Sequence, residues 1–421
     1  MHAVIDRPAD RTAAAARSHA AAAALGPPAL AVAVMWISFA VRAALHGEAV
    51  FRPHTWSRWD SGFYVMIARD GYTARWHCGT NSLPPHLPPG NYLCGTVQWF
   101  PGYSALIRGL SELTRLPLDA SALLLSWLCW FVFLAVAWRL LADAVTTPAR
   151  WVCLGLLAAA PGAIYFAAIF PMSFTLAGMT CCLYFAFRSP WRWAPLGALV
   201  AGVAAGSGYM SAIVLAPALL VGLLCVQRVR RPAVLAGATG VAAGFGAVLL
   251  TAQLSVGIWN GYFIAQSKYA TGTHNPLAAL VQYLQPLWTP GLPGVRHATA
   301  AQAAYTTVLV MAVLAGFLVI AADAAHRPRW GAWSRPGAGP GPRFRDNGLA
   351  LDLTVAAAAA AAWVSAYSAG ARISVWRPEA FVVVGVILLR RVPARYTAVL
   401  LLGAYPVAVW MSTYFFSGAL V

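Results

Sequence analysis

Charge is what this chain has least of. Only 10% of its 421 residues are charged, and just 12 of them are acidic, whereas soluble domains are roughly a quarter charged. Water is therefore not the main solvent, and an ordinary soluble enzyme or binding module is excluded. The chain also has no Gly-rich loop of the Walker type, which argues against a nucleotide-driven pump. Six histidines, His46, His54, His77, His86, His274 and His297, lie in polar segments. None stands at metal-ligand spacing from an acid or a cysteine, so the pattern points to no metal site. No cleavable signal peptide is evident. The first 28 residues are Ala-rich with Asp6, Arg7, Asp10, Arg11 and Arg17 interspersed, and are read as a disordered cytoplasmic leader.

What is present is hydrophobicity, at 60% of residues. Apolar runs near the 20 or so residues needed to cross a bilayer recur along the chain. They predict spans at 29–46, 120–142, 151–169, 171–188, 194–208, 209–226, 233–255, 301–322, 349–370, 377–392 and 396–416. The expected fold is an all-α polytopic bundle of about eleven transmembrane helices, forming one membrane domain over 29–421. The net charge of +17 is spread in short clusters between these runs rather than along one face, so membrane topology explains it better than nucleic acid. With the N-terminus inside, inward segments hold 18 of the 29 basic residues and outward ones 10, with Arg42 inside the first helix. This orientation requires the run from Trp99 to Leu116 to be half-embedded rather than spanning. Two large extracytoplasmic loops result, 47–119 with interfacial helices and 256–300, together with a basic, disordered cytoplasmic loop at 323–348. Five cysteines fall in apolar runs. Cys78 and Cys94 lie instead in the first outward loop, where an oxidising compartment predicts a disulfide.

Five of the 12 acids, Glu48, Asp60, Asp70, Glu112 and Asp119, also fall in that loop. The stretch Trp56-Ser57-Arg58-Trp59-Asp60-Ser61-Gly62-Phe63-Tyr64 predicts a short interfacial helix, with Asp60 or Ser61 as N-cap and Gly71 as C-cap. Capping is one reading of Asp60. The other is a general base, since an ionised carboxylate takes a proton from an attacking hydroxyl. Asp70 and Glu112 are the acids able to assist a divalent cation, although Asp70 equally closes the helix. Glu379 stands two residues from Arg377, where pairing is the simplest reading, and is kept as a site candidate.

Arg58-Trp59-Asp60-Ser61, with Ile67-Ala68 and Gly71-Tyr72, resembles a motif of the bacterial relatives of GPI mannosyltransferase II, which belong to the GT-C class of membrane glycosyltransferases. Trp99-Phe100-Pro101-Gly102-Tyr103 is similar to that family's Phe-Phe-Pro-Leu-Tyr-Pro run, with Ser104 in place of the second Pro. Gly257, Tyr262, Gln266 and Pro276 resemble a later segment, and Arg377 resembles a late Arg-Tyr pair. The chain departs from the family at Met172, where an acid is expected, at Ser207 to Met210, which lacks an arginine, and at Pro378, which replaces the Tyr. The resemblance implies inverting transfer of a sugar, most often mannose, from a polyprenyl-phosphate carrier to a lipid, glycan or protein acceptor outside the plasma membrane. Asp60 would be the base. Arg58, Arg377, Arg372, Gln266, Lys268 and Tyr103 are candidates for donor phosphate and sugar, with Trp59 nearby. A transporter or flippase of a lipid-linked precursor, or an inactive glycolipid-binding relative, are the competing readings.

Overall fold

The computed structural model describes residues 8–76, 78, 92–267, 273–326, 344–369 and 376–420. Lys268 and Arg372 lie outside the described residues. The helices are α1 (Pro8–Leu45), α2 (Ser61–Asp70), α3 (Pro101–Thr114), α4 (Leu118–Leu140), α5 (Thr147–Ala158), α6 (Ile164–Ala167), α7 (Met172–Phe187), α8 (Ala194–Gly208), α9 (Leu215–Gly222), α10 (Arg231–Val256), α11 (Gly261–Ser267), α12 (Pro276–Leu284), α13 (Gly294–His326), α14 (Phe344–Ser368), α15 (Trp376–Glu379), α16 (Val386–Leu389) and α17 (Ala394–Phe416).

Among the described residues, six helical segments are long and apolar enough to cross a membrane: Ala22–Leu45, Leu118–Leu140, Arg228–Val256, Gly294–Ala322, Asn347–Ser368 and Ala394–Phe416. The chain is an all-α integral membrane protein. Shorter apolar helices, Met172–Phe187, Ala194–Gly208 and Met210–Gly222, accompany them. Three expected spans differ from continuous α-helix, and one of them, 209–226, is a 3-10 stretch from Met210 to Val214 followed by α9. The run 151–169 stops as α5 at Ala158, because Pro161 offers no backbone N–H and Gly162 follows it. The run 377–392 is divided into α15, a tight 3-10 stretch from Ala380 to Gly385, and α16. These last two irregular stretches are buried in protein, where non-helical backbone at membrane depth is tolerated.

Residues 8–28, expected to be a disordered leader, instead belong to α1. Their alanine content favours helix, which runs on through Pro27 and Pro28 into the first apolar run. The run from Trp99 to Leu116 forms α3, whose 14 residues reach only about 21 Å. Between α2 and α3 the chain makes a feature that the sequence reading did not anticipate. An antiparallel ribbon pairs β1 (Ala74–Trp76) with β2 (Leu93–Gly95), with Arg75 opposite Cys94. The expected disulfide is present, joining Cys78 to Cys94 with Cα atoms 5.5 Å apart.

The closest helix packing is between α8 and α10. Gly202 and Gly206 stand four residues apart on one helix, Gly240 and Gly244 on the other. A Cβ at Gly206 would strike the Val241 carbonyl, and one at Gly244 would strike that of Val203. Small residues at this spacing let backbones approach where water supplies no driving force between helices. At one end of the bundle, charges clamp four elements together. Arg390, fully buried, contacts Asp352 at 2.5 Å and Asp143 at 2.7 Å. Arg391 reaches Asp352 at 2.6 Å and Arg188 reaches Asp143 at 2.6 Å.

Replacing Gly206 with Ala is expected to force α8 from α10 and cost about 1–3 kcal/mol. This would be read as a lower melting temperature of the detergent-solubilised protein. Gly246→Ala is the matched control, since an added Cβ there meets nothing within 4 Å. Equal melting of the two variants would contradict the packing argument.

Candidate functional site

The end of the bundle opposite the charge clamp is organised by tryptophan. Trp56 is fully buried and donates its indole N–H to the Val50 carbonyl at 2.7 Å. Its ring stacks on Trp36 at 6.3 Å and meets Trp127 and Phe416 edge-on at 6.0 and 5.6 Å. The Trp56 carbonyl accepts from the Ile169 N–H at 3.0 Å, and Trp127 donates to the Ala167 carbonyl at 2.9 Å. The irregular stretch after α5 is thereby tied to the chain that leads into α2.

Three residues beyond Trp56 the backbone turns sharply. Trp59 has φ of +44°, a left-handed conformation costly for a bulky aromatic and found mainly where surrounding structure enforces it. Its ring rests against Phe415 at 5.7 Å. The turn delivers Asp60 to the start of α2, but not as a cap: its side chain makes no capping hydrogen bond. Ser61 ties off the turn instead, accepting from the Arg58 N–H at 3.1 Å and donating to the Arg58 carbonyl at 2.9 Å. Gly71, with φ of +80°, ends the helix as expected.

Asp60 is therefore free for another partner, and that partner is Arg377, 317 residues away in sequence. The two form a close ion pair, with side-chain exposures of 29% for Asp60 and 8% for Arg377. The guanidinium also lies over Phe170 at 5.0 Å and Tyr165 at 5.6 Å, both on the irregular stretch before α7. Met172, the position where the resemblance expects an acid, starts α7 two residues later and is fully buried.

The other candidates separate from this pair. Arg58 does not contact Asp60; it bonds Glu48 at 2.5 Å and the carbonyls of His54 and Ser57. Tyr103 is fully buried, and its hydroxyl meets the Ala122 carbonyl at 2.9 Å and the Ser126 hydroxyl at 2.6 Å, so its role is to hold α3 on α4. Asp70 is exposed and bonds its neighbour Arg69, which keeps the Asp70 carboxyl below its ordinary pKa. Gln266 donates to the Gln98 carbonyl at 3.2 Å, pinning α11 to the 3-10 turn Thr96–Gln98.

Glu379 does not pair with Arg377. Its buried carboxylate accepts from the Tyr367 hydroxyl at 2.6 Å and from the Gln302 amide at 3.0 Å, anchoring α15 to α13 and α14. Arg377 projects from the same short helix, so this anchor helps fix the guanidinium over Asp60. No group of three or more His, Cys, Asp or Glu side chains suited to a metal occurs among the described residues. A groove of about 270 Å³ lies apart from the ion pair, between α2 and α3, bordered by Ile67, Ser104, Arg108 and Glu112.

Several site features escaped the sequence reading. Glu48 was counted among the acids without its Arg58 partner. Tyr165 and Phe170 looked like ordinary apolar positions, and their contact with a cation depends on a helix two hundred residues downstream.

The pairing has an energetic signature. Arg377→Gln and Asp60→Asn each leave a partner uncompensated in a largely buried site, and Asp60→Asn strands the deeper charge. That substitution should cost on the order of 3 kcal/mol. The double variant should be less destabilised than the sum of the singles, as measured by thermal unfolding in detergent. Strict additivity would show that the pair is not energetically coupled. Neither models of known protein families nor curated proteins match this chain.

Proposed function

We propose that this protein is a membrane glycosyltransferase. It moves a sugar, mannose foremost, from a polyprenyl-phosphate carrier to a lipid, glycan or protein acceptor, with inversion at the anomeric carbon. The reading includes a GT-C-like bundle of about eleven crossings in the plasma membrane, with residues 47–119 and 256–300 on the extracytoplasmic side. One observation carries it: a carboxylate at a helix start that makes no capping hydrogen bond is paired with a buried arginine at one end of an apolar bundle.

The chemistry follows from that pair. In a single displacement the acceptor hydroxyl oxygen bonds to the anomeric carbon while the bond from that carbon to the phosphate oxygen breaks. The departing polyprenyl phosphate carries the electron pair away, and the hydroxyl proton passes to the Asp60 carboxylate. Negative charge grows on the phosphate oxygen in the transition state, and a guanidinium preorganised in a low-dielectric setting stabilises it. In the structure described here Arg377 is occupied by Asp60. A donor phosphate arriving at Arg377 competes for that guanidinium and releases a carboxylate oxygen to act as base. Binding the donor and arming the base become one event. The cation–π contacts with Tyr165 and Phe170 support this reading, since they hold Arg377 in place when Asp60 lets go.

The full-length protein in lipid nanodiscs, supplied with polyprenyl-phosphate mannose and membrane-extracted acceptors, tests the proposal. Wild type should form a new glycosidic bond. Asp60→Asn should lower the rate by at least about 100-fold while still inserting as a monodisperse protein. Transfer by Asp60→Asn at the wild-type rate would remove the assigned base, and movement of the lipid across the bilayer without any new bond would favour a carrier.

A further inference from the structure

Two tyrosines lie near the Asp60–Arg377 pair and a third lies next to them, each brought there by a different part of the chain. Tyr64 lies one helical turn after Asp60 on α2, so the two side chains share a face. It is 3% exposed, with its ring edge-on to Tyr103 at 5.7 Å. Tyr209, just past the end of α8, stacks on Phe381 at 5.4 Å, and Phe381 follows Arg377 by four residues. Tyr262 on α11 packs against Phe100 at 5.0 Å. Tyr64 and Tyr209 both lie near enough to Asp60 and Arg377 to sense their charges, and Tyr262 is a neighbour of these two tyrosines.

None of the three hydroxyls has a hydrogen-bond partner among the described residues. None of them is among the fully buried polar atoms that lack a partner, so each hydroxyl keeps some open surface. Tyr103 and Tyr367 differ, with hydroxyls both bonded within the protein. Burial, ahead of the neighbouring hydroxyls and Asp60, pushes Tyr64 well above the ordinary phenol pKa, so it remains a proton donor. Unpartnered hydroxyls on aromatic walls suit a ligand that itself carries several hydroxyls.

We propose that Tyr64, Tyr209 and Tyr262 form the subsite for the transferred sugar, hydrogen bonding the ring hydroxyls of a hexose whose phosphate lies on Arg377. The subsite rests on the donor reading given above and adds the groups that distinguish a glycosylated carrier from a bare one. Tyr209 is notable because it falls in the stretch Ser207 to Met210 that lacks the arginine expected from the resemblance.

The test uses the full-length protein in nanodiscs and three probes: polyprenyl phosphate, polyprenyl-phosphate mannose and polyprenyl-phosphate glucose. Tyr64→Phe, Tyr209→Phe and Tyr262→Phe each delete one oxygen and keep the ring. Wild type should prefer a glycosylated lipid over the bare phosphate, and each variant should lose roughly 3- to 10-fold of that preference with bare-phosphate affinity unchanged. Variants that keep the wild-type preference would overturn the subsite. Wild-type binding of the bare lipid with no preference for either sugar would also overturn it, leaving the phosphate assignment intact. Wild-type binding of none of the three would overturn the donor reading, and the subsite with it.

Discussion

An ion removed from water into an apolar bundle loses several kcal/mol of solvation that only a close counter-charge and further hydrogen bonds restore. With 12 acids against 29 basic residues, this chain cannot neutralise every arginine, and it places its carboxylates where buried cations need them. Asp352 and Asp143 compensate Arg390 at one end of the bundle. Asp60 compensates Arg377 at the other. Along α14, Asp352 and Tyr367 are separated by 15 residues, or about 22 Å of helix, so the two charged layers sit a substantial part of a hydrocarbon core apart. Between them the helices have little but shape to hold them, and the glycine faces of α8 and α10 supply it.

The two layers have different characters. Around Arg390 the charges are tied on several sides: three arginines and two aspartates share contacts, and the result is a clamp joining the ends of α4, α7, α14 and α16. Around Arg377 the pairing is sparse. One carboxylate oxygen takes the guanidinium, aromatic rings flank it, and the hydroxyls of Tyr64 and Tyr209 nearby have no hydrogen-bond partner among the described residues. A clamp ties its charges to one another, whereas a site leaves polar groups open for a ligand. The strained Trp59 backbone belongs to the same contrast, since its left-handed turn leads into an N-cap Asp60 whose side chain makes no capping hydrogen bond.

Much of the architecture was readable in the residues themselves. Apolar runs identified the long helices, because a hydrocarbon solvent demands length and apolarity from any crossing segment and composition records both. Gly71 marked the end of α2 for a comparably local reason, and the disulfide between Cys78 and Cys94 followed from two cysteines standing apart from the apolar runs. Asp60 stood out by the scarcity of acids. Local pattern misjudged residues 8–28, where alanine-rich helix propensity outweighed the scattered charges. It also misjudged the runs 151–169 and 377–392, where Pro161 and a 3-10 segment interrupt helices that hydrophobicity alone presents as continuous.

Partnership was beyond the reach of the sequence. Arg58 adjoins Asp60 in the chain yet pairs with Glu48, while Arg377 adjoins Glu379 yet pairs with Asp60, because side chains meet according to how helices pack and not according to their spacing. Tyr103 belongs to a conspicuous motif and is sealed inside the protein, whereas Tyr209, in a stretch marked only by a missing arginine, stacks on Phe381 four residues after Arg377. The sequence by itself determined the solvent this protein requires, the long helices and a short inventory of scarce charges. Which of those charges clamp the bundle and which face an open space was decided only by tertiary structure, since the compensation of a buried charge is a property of distance in three dimensions.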